Sequence, residues 1–218
     1  MSDFAAARTN MVDGQLRPNR VSDPAVLAAI LELPRERFVP AGLKGVAYVD
    51  GDIPLGDGRH LMAPLDLGRL LQAAQIASGD VALNIGAASG YDAAVLGALA
   101  STVVAVESDP ALAEGATATL AELGIGNVAV VRGKLANGYP EQAPYDVIFF
   151  SGAVPEVPVR ILDQLAEGGR LVAVIDREPG VGSATLFVRL EGVISHRVFC
   201  DASPPPLPEL APAPKFVF

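Results

Sequence analysis

Val81-Ala82-Leu83-Asn84-Ile85-Gly86-Ala87-Ala88-Ser89-Gly90 joins an apolar run to a loop of small residues, and Tyr91 to Leu99 continues it at helical spacing. A second apolar run, Val103 to Val106, ends in Glu107. Strand, glycine loop, helix, strand and terminal acid is the order in which α/β proteins hold a nucleoside. The loop lets a ligand approach the backbone, and the acid takes the ribose hydroxyls. The competing reading is a tight strand-to-helix turn beside an unrelated buried Glu. The glycine frame is Gly86-x-x-x-Gly90, without the third glycine of the dinucleotide fingerprint and without a Gly-Lys-Ser/Thr for a phosphate. The loop therefore has no need to take a pyrophosphate, and S-adenosylmethionine, which carries no phosphate, suits this frame.

Outward from this stretch, strand and helix patterns alternate in the α/β manner. Strands are expected at Val81–Ile85, Val103–Val106, Val128–Val131, Val147–Phe150 and Leu171–Ile175, and helices at Tyr91–Leu99, Pro110–Leu123 and Val159–Leu165. Leu186–Leu190 and Val193–Phe199 form a closing hairpin with Glu191-Gly192 as its turn. Unbroken apolar strands are what a parallel sheet covered on both faces demands. Gly86–Gly90, Glu107 and the loop at Gly133 all fall at carboxyl ends of strands, so three segments converge on one crevice.

Residues 1–45 read as helical, with Ser22-Asp23-Pro24 as a start signal and Pro34 as a stop. Residues 46–64 are loop-rich, and Leu65 to Ala77 returns to helical spacing. The expected division is an N-terminal helical extension with an acceptor-loop region over 1–64, an α/β domain over 65–202, and a Pro-rich tail over 203–218. The tail either wraps the domain, with Phe216 and Phe218 as anchors, or binds a partner.

Half of the 218 residues are hydrophobic, the net charge is −9 and the pI is about 4.7. With no Lys/Arg cluster to interrupt it, this acidic field argues against nucleic-acid and membrane-surface partners. A single cysteine, Cys200, allows no internal disulfide framework and no cysteine-based metal site. Its surroundings suggest a strand residue rather than a nucleophile. No metal is expected. The first residues lack the basic-then-apolar order of a signal peptide, and a cytoplasmic location is expected.

Met11-Val12, Gln15-Leu16, Asp23, Val26 and Leu27, then Ala94-Val95-Leu96 and Asn127-Val128, stand in an order similar to that of the protein-L-isoaspartate O-methyltransferase family, a resemblance that spans residues 10 to about 200. Pro34-Arg35-Glu36-x-Phe38-Val39 resembles the family's Pro-Arg-x-x-Phe-Val element. Ile53-Pro54-Leu55-Gly56-x-Gly58 resembles its Leu-Pro-Ile-Gly-x-Gly loop, and Ile85-Gly86-x-x-Ser89-Gly90-Tyr91 its cofactor motif. Val106-Glu107, Leu123-Gly124, Tyr145-Asp146 and Gly168-Gly169-Arg170-Leu171-Val172 follow in register. The resemblance implies a Rossmann-like seven-stranded methyltransferase fold with an N-terminal helical extension. It also implies S-adenosylmethionine as cofactor and methyl transfer to an isoaspartyl carboxylate of a damaged protein or peptide. Gly86, Ala87, Ala88, Ser89 and Gly90 would hold the methionine part, Glu107 and Ser108 the ribose, and Lys134 and Leu135 would lie near adenine.

The chain departs from that family at the implied site. The acceptor loop reads Gly58-Arg59-His60-Leu61-Met62-Ala63-Pro64 where the family has Gly-Gln-Thr-Ile-Ser-Gln-Pro. Met62 stands at the signature serine, and a thioether cannot donate a hydrogen bond to a carboxylate. Asn84 replaces a Glu, Ala88 a glycine, and Lys134 an acid beside adenine. Ala88 is tolerated where its φ is negative. Arg59, His60 and Met62 are the acceptor-side candidates. The favoured expectation for Arg59 and His60 is an exposed pair without a ligand, and for Lys134 a solvated strand-end residue. The alternative to an active carboxyl methyltransferase is a catalytically silent or repurposed relative that acts as a binding protein or on another acceptor.

Overall fold

The computed structural model describes residues 3–176 and 182–211. The chain opens with helices α1 (Phe4–Met11) and α2 (Pro24–Glu32). The start signal works as expected: the Asp23 side chain accepts from the Ala25 and Val26 N–H groups, and Pro24 opens the helix without a donor to lose. The loop-rich stretch contains a short hairpin, β1 (Ile53–Gly56) and β2 (Arg59–Leu61), which its Pro and Gly content disguises. Helix α3 (Pro64–Ala74) follows.

The α/β part runs β3 (Val81–Ile85), α4 (Tyr91–Leu99), β4 (Thr102–Glu107), α5 (Pro110–Glu122), β5 (Val128–Arg132) and β6 (Tyr145–Val154). It continues with α6 (Val159–Leu162), β7 (Leu165–Ile175), β8 (Gly182–Leu190) and β9 (Val193–Ala202). Helix α6 stops at Leu162, short of the expected Leu165. The Gln164 side chain donates to the Arg160 and Asn137 carbonyls, and the Gln164 carbonyl accepts from Tyr145 N–H, which starts β7 instead. The hairpin β8–β9 turns at Glu191-Gly192, as read from the sequence.

One seven-stranded sheet has the order β5-β4-β3-β6-β7-β8-β9. The strands from β5 to β7 are parallel, while β8 and β9 add antiparallel to the edge. From β3 the chain winds outward through β4 and β5, and from β6 it winds the other way. The order therefore reverses between β3 and β6, and a crevice opens beyond their carboxyl ends.

The strand period of two sorts the core. Ala82, Val103, Val147, Phe149 and Val172 face a layer built by the N-terminal segment, α3 and α4, which includes Met11, Leu16, Ile30, Phe38, Ile53 and Met62. The N-terminal extension is thus one wall of the core rather than an appendage. Leu83, Ile85, Val104, Ile148, Phe150 and Leu171 face the opposite layer, with Leu135, Ile161 and Leu207. Of the tail, residues 203–211 lie on the domain, while the proposed anchors Phe216 and Phe218 lie outside the described residues.

Gly90 caps α4 at φ +91°, and a Cβ there would lie 3.0 Å from Ala116 Cβ. Gly90→Ala is expected to lower stability by about 2–3 kcal/mol through left-handed strain and crowding against α5, measured by urea unfolding.

Candidate functional site

The crevice at the switch point is built around Glu107. The Gly86 and Ala87 N–H groups tie the loop after β3 to the Val106 carbonyl of β4. Glu107, the last residue of β4, is fully buried. Its Oε1 accepts from the Ser108 and Asp109 N–H groups at 2.8 and 3.0 Å, and its Oε2 accepts from Ala88 N–H at 2.6 Å. Ala88 achieves this at φ +49°, so the negative φ under which an alanine is readily tolerated is not the one it adopts. The left-handed turn aims its N–H at the carboxylate, and this contact supports an otherwise strained alanine.

The remaining acceptor positions of Glu107 are taken by Arg59. Its Nη1 and Nη2 donate to Oε1 and Oε2 at 2.6 and 2.8 Å, a two-pronged ion pair with only 5% of the Arg59 side chain exposed. The expectation of an exposed Arg59 is therefore wrong. Strand β2 turns the side chain inward, and the buried carboxylate supplies the partner. Three backbone donors and a fork leave the carboxylate no free position for ribose hydroxyls.

The tail covers the same place. Ser203 gives a backbone hydrogen bond to the Asp66 carboxylate. Beyond the reach of β3, Ala153 of β6 donates to the Pro205 carbonyl at 3.0 Å and accepts from Leu207 N–H at 2.9 Å. Leu207 is 2% exposed and lies against the loop: a Cβ on Gly86 would be 2.8 Å from its Cδ2 and 3.1 Å from Arg59 Nη2. Glu209 Oε2 accepts from Leu135 N–H at 3.4 Å. The void left between Arg59, Met62, Gly152 and Leu207 is about 10 Å³, room for about one water. Small-molecule sites generally run to about 300–1,000 Å³. In this arrangement the predicted loop and acid come together as expected, and among the described residues Arg59 and Leu207 fill the space between them, leaving no room for a nucleoside while they stay in place.

Met62 is 2% exposed and packs in the core behind the crevice, consistent with a packing role. Arg35, fully buried, holds that loop by donating to the Met62 and Ala47 carbonyls, and its guanidinium lies 4.9 Å from the Tyr91 ring centre. Asn84 reaches Ser151 Oγ at 2.8 Å, and Asp92 shares that serine. Burial pushes the Asp92 carboxyl up, against the opposing pull of the Ser151 hydrogen bond and the Arg35 charge. His60 is half-buried at the crevice edge, beside Met62 and Gly152. Ser89 and Ser108 are half-buried on the loop and after β4. Lys134 is exposed, as expected, beside an open groove of about 570 Å³ with Arg132 and Arg160, while Leu135 is buried beneath it. Sequence reasoning missed Arg35, Asp92 and the pairing of Arg59. Asp92 is a charge at the head of an apolar run, while Arg35 and Arg59 stand among polar neighbours, and only the fold supplies the partner of each.

A family model for protein-L-isoaspartate(D-aspartate) O-methyltransferase matches residues 7–197. A protein-L-isoaspartate O-methyltransferase 1 of Rhodopseudomonas palustris is 41% identical over 200 residues, covering 92% of this chain and 80% of that protein. One from Methanoculleus marisnigri is 43% identical over 166 residues, 76% of each chain. A solved protein-L-isoaspartate O-methyltransferase superposes with a TM-score of 0.82 at 29% identity, over 92% of this chain and 65% of that one. A Plasmodium falciparum structure described as a protein-L-isoaspartate O-methyltransferase, in complex with S-adenosyl-L-homocysteine, shares the fold at a TM-score of 0.76 and 19% identity, over 95% of this chain and 99% of that one.

Breaking the buried pair from either side should have unequal cost. Glu107→Gln strands a buried guanidinium and is expected to lose about 3–5 kcal/mol. Arg59→Met leaves the carboxylate its three backbone donors and is expected to cost less; urea unfolding of both variants checks the order. Asp92 gives a pH signature. Its pKa is raised by folding, so the folded chain binds the proton more tightly than the unfolded chain, whose aspartate titrates near about 3.9. Stability is therefore lost as pH rises through and above that value. Asp92→Asn should be more stable than wild type at pH 7, with the gain vanishing below about pH 4.

Proposed function

The chain belongs to the protein-L-isoaspartate(D-aspartate) O-methyltransferase family, and we propose that it is an S-adenosylmethionine-dependent carboxyl O-methyltransferase acting on isoaspartyl carboxylates. The observation that carries this reading is the buried Glu107 carboxylate. It stands at the end of β4 and is bound to the glycine loop through Ala88 N–H independently of Arg59. That half of a nucleoside site remains built when Arg59 leaves. Repair of damaged proteins in the cytoplasm belongs to the same proposal.

A carboxylate acceptor is already an anion at neutral pH, so the chain need not supply a general base. What it must supply is a dry, shaped crevice and a means of choosing the acceptor. The apolar wall from Ile85, Leu135 and Phe150 supports the first. His60, at the crevice edge, is the polar side chain available for the second, joined by Arg59 only once it leaves Glu107. Met62 contributes shape but no hydrogen bond from its thioether. A second reading, a silent relative, is favoured by the Arg59–Glu107 pair itself, which stands where the ribose hydroxyls would bind.

Methyl incorporation from S-adenosylmethionine into an isoaspartyl peptide, beside its aspartyl counterpart, tests the proposal. Wild-type activity restricted to the isoaspartyl peptide is expected. Incorporation only in Met62→Ser would identify a repurposed acceptor pocket, and incorporation in neither would favour the silent reading.

A further inference from the structure

We propose that residues 203–211 are a displaceable internal strap that, with Arg59, occupies the cofactor crevice, so that S-adenosylmethionine binds only as the strap leaves. This rests on the reading of the crevice as a cofactor site.

The strap's anchors coincide with the places a nucleoside ligand needs. Arg59 takes the two oxygens of Glu107. Leu207 covers the Gly86 face of the loop, and Cβ atoms built on Gly86 and Gly152 would lie 2.8 and 2.9 Å from its Cδ2. The Glu209 carboxylate meets the Leu135 N–H at the end of the crevice beside Lys134. The strap also lies at the switch point between β3 and β6, where open α/β sheets take ligands.

Its composition makes it removable. Pro204, Pro205, Pro206 and Pro208 have no N–H, so between Pro204 and Pro208 only Leu207 can donate a backbone hydrogen bond. The ladder to β6 is accordingly limited to the Leu207–Ala153 and Ala153–Pro205 bonds. Strand β8, by comparison, pairs with β9 along its whole length and with β7 from Ser183 to Val188. Leu207 supplies the main apolar anchor, and Glu209 is exposed, with a long 3.4 Å contact. The prolines also stiffen the segment, so little conformational entropy is lost when it docks. Its covalent attachment to β9 keeps its local concentration high. A strap held in this way competes with a ligand without becoming a permanent part of the sheet.

The test is calorimetric titration of S-adenosylhomocysteine into the full-length chain and into the full-length double variant Leu207→Ser/Glu209→Ala, with the melting temperature of each recorded. The variant is expected to bind about tenfold tighter, because a buried leucine no longer has to be released. Amide hydrogen exchange on the wild-type chain supplies a readout that needs no variant. Saturating ligand should deprotect the Leu207 and Ala153 N–H groups while protecting those of Gly86 to Ala88. Equal or weaker affinity in the variant, or unchanged Leu207 and Ala153 protection at saturation, overturns the strap and leaves the cofactor crevice standing. Binding by neither protein at millimolar ligand overturns both.

Discussion

The rest of the site depends on one buried carboxylate. Glu107 lies at the end of a central strand with no exposed surface, and a buried charge must be matched by donors or it destabilises the fold. The backbone provides three: Ala88 from the glycine loop, and Ser108 and Asp109 from the turn into α5. Those contacts explain why the loop turns as it does, and why an alanine is held in a left-handed conformation. They also leave the outward side of the carboxylate to be completed by something else. Two neighbouring hydroxyls could complete it, and so can a guanidinium fork. In this chain Arg59 does so, and one interaction sets both the stability of the crevice and its availability.

The sheet topology decides where that interaction sits. Because β3 and β6 feed opposite halves of the sheet, the ends of both strands border a gap. β6 runs several residues past the last pairing with β3, and its Ala153 offers unpaired backbone groups on that side. The segment leaving β9 satisfies them, inserting Leu207 among Ile85, Leu135 and Phe150. A ligand site and a surface for self-docking are here the same physical feature, an apolar hollow with unused backbone donors and acceptors.

Behind the crevice, a second set of buried charges fixes the loop that carries Met62. Arg35 reaches across from the N-terminal segment to the Met62 and Ala47 carbonyls, and the Asp92–Ser151–Asn84 cluster lies under the start of α4. The Met62 side chain therefore sets the chemistry of the loop without setting its position. The backbone is held by its carbonyl, whichever side chain the residue carries.

Much of this was legible from residues alone. The β3–loop–α4–β4 order, the glycine loop, Glu107 at a strand end and the β8–β9 hairpin all follow from local spacing, since strand and helix periods and turn chemistry are properties of neighbouring residues. The motif order identified the family on the same basis. The pairing of Arg59 with Glu107, the left-handed Ala88, the burial of Arg35 and the docking of Leu207 were not legible. Each joins residues far apart in the chain, and each is decided by which charge or apolar side chain the assembled sheet brings into reach. Sequence by itself determined that a glycine loop and a strand-end acid would meet at one crevice; only the tertiary structure decided what fills it, because buried charge and apolar surface take their partners from space, not from sequence order.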